Sequence, residues 1–319
     1  MFITDCFALE RGHKNIDFVD IHYDGDVRLF VDPERIALSR HPFAAEAHCT
    51  IEDFFDTLCR AANAHDDDAL NHLCAFGQEP NETHLGMSTY HSRGRGSSLD
   101  ILKPIVDDMI ERGLFDDNLV TQLSDLHLWT PNFHYDRLSD LTTNIIRRVL
   151  VDYTWEQYQL LGLPLPDYDE KYETTYWNTE RHCWMVCAFP QFCCDGFPIL
   201  LVPKDFVGRQ MLSSPSELLH KYALRYRQEE HLAQRSDYCH IKTRRNGERV
   251  LVPPTKRELY DIEVRGTPAK GYLLHLGHEY PQMVRELHRD HTPQFSTRDI
   301  FMSDYELDRF IYGPLAIAG

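Results

Sequence analysis

Residues 141–161 carry Leu141, Ile145, Ile146, Val149 and Leu150 at helical spacing, so the stretch presents one apolar face that other elements must cover. A Pro- and acid-rich connection, "LGLPLPDYDEKYETTYWNTE", comes next and is the best candidate boundary between an N-terminal lobe, 1–165, and a C-terminal lobe, 166–319, unless the two form one compact domain. Beyond it, "HCWMVCAFP" and "GFPILLVPKDFV" read as two buried strands joined by "QFCCD". Ser214, Pro215 and Glu217 then form a capping box that opens a helix to about Ala233, and Asn246-Gly247 turns a hairpin in "YCHIKTRRNGERVLV". Upstream, residues 16–31 alternate around Asp24-Gly25 as a hairpin would, Asp32 and Pro33 start a helix, and residues 50–62 carry a helical stripe. A further helix runs to Gly113 and starts no earlier than about Asp100, because Pro104 disfavours a longer one. The fold class expected is α+β, a mixed sheet with packed helices, compatible with a degenerate restriction-nuclease-like core.

At 319 residues and 42% hydrophobic content the chain has enough apolar surface for a sizeable core. Its N-terminus lacks the basic start and apolar run of a signal peptide, and no apolar run approaches the roughly 20 residues of a membrane span, so the expectation is a cytoplasmic protein without membrane contact. Nine scattered cysteines then read as reduced thiols. The net charge of −17 argues against a surface coated for nucleic acid. Residues 204–265 differ: 13 Lys and Arg against 9 Asp and Glu make a net of +4, so a polyanion such as nucleic acid would bind there, although a solvated face is the more ordinary explanation.

Candidate sites begin with Asp136 and Asp140. Extended chain would hold their carboxylates about 13 Å apart, whereas a bend into a helix at Ser139 makes them an i,i+4 pair able to hold Mg²⁺ through carboxylates and waters. The structural reading is a helix start, with Ser139 as cap, Asp140 at the positive helix end and Asp136 paired with Arg137 or Arg147. In "HSRGRGSS", Arg93 and Arg95 supply phosphate donors while Gly94 and Gly96 let the backbone turn toward an anion. Lys204 closes the apolar run "ILLVPK", where a nuclease lysine would sit two residues after an acid, but Val202 holds that place. His182, Cys183, Cys187, Cys193 and Cys194 are zinc-capable, yet Cys183 and Cys187 alternate with apolar residues as in a buried strand, where cysteine behaves as a small hydrophobe. Arg225 and His231 have the loose spacing of HEPN ribonucleases, set in surroundings that read as strand-rich.

The runs "DRLSDLTTNIIRRVLVDYT", "GFPILLVPKDFV" and "RYRQEEHL" resemble a family of uncharacterised bacterial proteins, over about residues 84–249. The resemblance implies that Asp136, Asp140, Lys204, Glu230 and His231 belong to shared blocks and that the setting is antiviral defence. The function expected is a metal-dependent phosphodiesterase, a nuclease, with Asp136 and Asp140 holding Mg²⁺ and Lys204 stabilising charge. Glu230 and His231 complete the catalytic set, and Arg93, Gly94, Arg95, Gly96, Arg244 and Arg245 contact phosphate. The alternative is a non-catalytic interaction or sensor subunit of a multiprotein defence complex, whose acidic surface meets a protein partner.

Overall fold

A computed structural model describes residues 1–23, 25–76, 79–86, 98–115, 119–166, 171–296 and 299–313. Helices dominate it, and the architecture is α+β. Asp32 caps the Pro33–Leu38 helix as its sequence position suggests, accepting the Glu34 N–H at 3.0 Å through Oδ1, while Oδ2 accepts the Leu212 N–H at 2.7 Å. The Ala44–Asn63 helix buries Ile51, Phe54, Phe55 and Leu58, the stripe read from residues 50–62. Pro104 lies inside the Ser98–Glu111 helix, which begins close to the expected start.

The stripe at 141–150 belongs to two helices, Tyr135–Ile145 and Arg147–Leu160, separated at Ile146. Helix therefore begins ahead of Ser139. That residue is buried, and its hydroxyl accepts the Val31 N–H at 2.9 Å, fixing the helix to the Phe30–Val31 strand instead of capping it.

Sheet structure departs furthest from expectation. The described strands form two-stranded antiparallel pairs only, and no larger mixed sheet of restriction-nuclease type appears among the described residues. Residues 16–31 are not a hairpin: Val19 N–H donates to the Val202 carbonyl at 2.9 Å, Phe18 bridges to Pro203 and Val27 to Leu85, while Asp24 lies outside the described residues. Each half of this segment finds its partner in distant chain because burying Phe18, Val19 and Ile21 outweighs a local turn. The connection after residue 161 contains a strand, Lys171–Asn178, paired with Cys183–Pro190 in the register Trp177↔Trp184. Both tryptophans are buried and stack edgewise on Phe54, which draws this ribbon onto the Ala44–Asn63 helix. The second expected strand reduces to Phe197–Pro198 against Cys193–Cys194, followed by extended, buried chain.

One cluster of buried apolar residues runs from Ile3 to Leu307 and draws on both expected lobes. Polar ties inside it join the ends of the chain. His13 meets Asp308 at 2.6 Å, Tyr312 donates to Asp20 at 2.6 Å, and Glu34 accepts from Ser213 at 2.5 Å and from His291 at 2.7 Å. Gly277 is demanded by close packing, because a Cβ there would lie 2.9 Å from the buried ring of Trp129. Among the described residues no helix is long and apolar enough to cross a membrane.

The thiols also differ from expectation, for Cys6 and Cys194 form a disulfide across 188 residues with their Cα atoms 6.0 Å apart. Cys6 ends the short Ile3–Cys6 helix and Cys194 ends the Cys193–Cys194 strand, so the bond ties the N-terminal turn to that strand. Two of the nine cysteines expected as reduced thiols are therefore paired, and the other seven remain thiols.

Candidate functional site

Helix geometry places Asp136 and Asp140 four residues apart on one face of Tyr135–Ile145. Asp136 turns back on its own helix start, its Oδ1 accepting the Arg137 N–H at 2.9 Å. Asp140 is the electrostatic anomaly. Burial, and then the negative charges of Glu79, Asp136 and Asp26, push its carboxyl well above the usual carboxylate range, and Arg137 only partly offsets them. Asp26 and Glu79 come from distant loops, so no local motif in the sequence marks them. Among the described residues no group of three or more His, Cys, Asp or Glu side chains is arranged to hold a metal ion.

Lys204 is elsewhere. Its ammonium donates to the His13 carbonyl at 2.6 Å and to Asp304 at 2.7 Å, tying the N-terminal loop to the Asp304–Ile311 helix, and none of its contacts involves Asp136 or Asp140. The structure thus brings the two aspartates together and leaves the lysine with other partners. Residues 93–96, with Arg93, Gly94, Arg95 and Gly96, lie outside the described residues.

Glu230 and His231 sit on Leu224–Gln234, which continues from Pro215–Glu217 through a π-helical segment, Leu218–Ala223. Ser214 caps the start by accepting the Glu217 N–H at 3.1 Å, as its sequence position suggests. His231 Nε2 and Glu263 Oε1 are 2.8 Å apart, and Glu263 lies in a second π-helical segment, Tyr260–Val264. Arg227 clamps Glu263 with two hydrogen bonds, at 2.9 and 3.1 Å, and also pairs with Glu230. Tyr272 donates to Glu263 at 2.6 Å and Tyr280 to Glu230 at 2.6 Å. Burial works to raise the Glu263 carboxyl, but hydrogen bonds from Arg227, His231 and Tyr272 outweigh it and hold the group at about 2. This is a saturated clamp between helices, not a group poised for proton transfer. Arg225 is likewise held by Glu286, and helices surround it where strands were expected.

The zinc-capable span is dispersed as well: Cys194 is in the disulfide, and His182 pairs with Asp53 at 2.6 Å.

The expected hairpin is present. His240–Thr243 pairs with Arg249–Val252 from His240↔Val252 to Thr243↔Arg249, and Gly247 takes the left-handed φ of +84° that its turn requires. All four residues of the first strand are exposed. The register puts Ile241, Thr243, Arg249 and Leu251 on one face, with Ile241 61% exposed. Arg235 and Arg249 flank Ile241 and Leu251 in a shallow concavity of about 550 Å³. Arg244 pairs with Glu248 at 3.0 Å, whereas Lys242, Arg245 and Arg249 meet no carboxylate among the described residues.

A helix-dominated α+β protein with small antiparallel ribbons, a saturated ionic clamp and a projecting cationic ribbon is the class so defined. Residues 8–214 match the family described as Domain of unknown function (DUF8370), and the chain belongs to that family. The matched segment includes Asp136, Asp140 and Lys204; Glu230, His231 and the ribbon lie beyond it. No curated protein and no solved structure matches the chain.

Proposed function

We propose that the chain is a non-catalytic interaction subunit that engages a nucleic-acid backbone through the 240–252 ribbon. The observation that carries this reading is charge: the ribbon has four Lys or Arg against one Glu, three of the four without a carboxylate partner among the described residues, in a chain of net −17. The acidic body repels phosphate and the ribbon attracts it, so contact is confined to one edge and orientation is set. The setting that goes with this role is a bacterial defence complex in the cytoplasm.

Fluorescence anisotropy with labelled duplex and single-stranded 20-mers, across a salt series, tests the proposal. The log–log slope should be shallow, roughly −0.7 to −0.9 per phosphate contact. Replacing Lys242, Arg245 and Arg249 together with alanine should flatten the slope by about 2 and weaken all sequences alike. Arg244→Ala should do less, because that guanidinium already answers Glu248. A slope indifferent to the triple substitution would remove the ribbon from any nucleic-acid role.

A second reading, the metal-dependent phosphodiesterase, is favoured by one observation: Asp140 is half-buried beside like charges that a cation would relieve. Asp136 and Asp140 would then hold Mg²⁺ from one helix face. MgCl₂ should raise the melting temperature of the native chain and leave Asp140→Asn unchanged, and cleavage of a nucleic-acid substrate should vanish in that variant. Equal responses of the two proteins to Mg²⁺ would discard this reading.

A further inference from the structure

A cleft of about 760 Å³ opens between the chain just after the Val207–Gly208 strand and the Asp304–Ile311 helix. Three arginines from three separate segments line it: Arg35, Arg209 and Arg309. Arg35 comes from the Pro33–Leu38 helix, pairs with the buried Asp32 at 3.3 Å and lies over Gly208, where a Cβ would stand 2.5 Å from its Nε. Only glycine leaves that guanidinium in place. Arg209 stacks on Phe310, its guanidinium carbon 5.0 Å from the ring centroid. Arg209 and Arg309 meet no carboxylate among the described residues, although the chain carries 50 acidic against 33 basic side chains. Unpaired surface arginines occur elsewhere on the chain, but here two of them converge with Arg35 on one concavity, and guanidiniums gathered in that way point to an anion from outside.

The remaining lining narrows the ligand. Met211, Met302 and Phe310 supply an apolar wall. Asp299 and Glu306 supply acceptors, and Glu306 uses only Oε2 on the Ser303 N–H and hydroxyl, both at 2.8 Å, which leaves Oε1 without a partner among the described residues. Inorganic phosphate would fill a small part of this volume and would gain nothing from the acids or the apolar wall. A molecule with a phosphate at one end, hydroxyl or amine donors in the middle and a flat apolar face would use all three.

We propose that this cleft binds a nucleoside phosphate, with its phosphate on Arg35, Arg209 and Arg309, its sugar hydroxyls on Asp299 and Glu306, and its base against Met211, Met302 and Phe310. The site is separate from the ribbon and does not depend on it. Guanidinium forks match phosphate oxygens in pairs, so lysine is a poor substitute there.

Isothermal titration of the full chain with AMP, ADP, GDP, inorganic phosphate and pyrophosphate tests this. Expected is saturable binding of at least one nucleotide, at least tenfold tighter than pyrophosphate. Arg309→Ala, at an exposed helix position, should weaken it tenfold or more while the melting temperature holds. Arg309→Lys should recover only part of that loss, and Gly208→Ala should weaken binding by displacing Arg35. The ribbon substitutions should leave it unchanged. No nucleotide binding at millimolar concentration, pyrophosphate binding as tight as any nucleotide, or affinity unmoved by Arg309→Ala and Gly208→Ala would each overturn the assignment.

Discussion

Asp140 and Glu263 are both partly sequestered carboxylates on helical segments, and their surroundings drive them in opposite directions. Around Asp140 the acids Glu79, Asp136 and Asp26 add to the effect of burial, and Arg137 only partly opposes them. Around Glu263 four hydrogen bonds from Arg227, His231 and Tyr272 use both oxygens. Desolvation acts on both, so the difference lies in who faces them. A carboxylate answered on all sides holds helices together, and one set among other acids is shifted toward its neutral form.

The largest effect should come from breaking the answered cluster. Arg227→Ala leaves Glu263 and Glu230 without their shared cation, and denaturant unfolding should show a loss of about 3–5 kcal/mol, the scale for removing one partner of a sequestered pair. A loss below about 1 kcal/mol would mean that water replaces the guanidinium and the clamp is superficial.

Next in size is the acid dependence of the same group. Glu263 is held at about 2 when folded against an ordinary 4.5, so its contribution is complete above pH 4.5 and disappears as pH falls toward 2. The native chain should therefore lose about 3 kcal/mol more than Glu263→Gln between pH 6 and pH 2. Parallel profiles for the two proteins would show that the clamp does not depress the group.

The opposite sign is expected at Asp140. Its carboxyl is raised, so the penalty for ionising it applies above that raised value and vanishes below it. Asp140→Asn should stabilise the fold at pH 8 by about 0.5 kcal/mol or more, the scale of one like-charge pair at i,i+4. The gain should shrink on acidification. Destabilisation at pH 8 would mean that a positive group already answers this carboxylate.

The smallest effect calibrates the rest. Arg148 and Asp152 form an i,i+4 pair at 2.8 Å with both side chains about half exposed, and Arg148→Ala should cost no more than about 0.5 kcal/mol. A larger loss would point to its contact with the Phe189 ring.

The sequence discloses these regions unequally. Helix starts at Asp32 and Ser214 are visible because a cap is a local device, and the ribbon is visible because Asn246-Gly247 sits between alternating residues. Strand Lys171–Asn178 was hidden by the Pro- and acid-rich chain before it, and its reason for existing, Trp177 against Phe54, spans 123 positions. Asp136 and Asp140 stand out in the sequence as an i,i+4 pair, but Asp26 and Glu79, which perturb Asp140, do not. The arginine cleft was invisible for the same reason: Arg35, Arg209 and Arg309 meet only after the chain has folded back on itself.

The π-helical segment Leu218–Ala223 has a consequence for how this region tolerates changes in length. Such a segment absorbs a surplus residue without turning the helix beyond it. Losing one residue from 218–223 would let the turn tighten to ordinary α-helix while Arg227 kept its bearing on Glu263. The same deletion in an ordinary α-helical stretch between that segment and Arg227 would swing the side chain by about 100° around the axis and away from its carboxylate. The segment therefore works as a slack link, and shortening the chain there should leave the clamp closed.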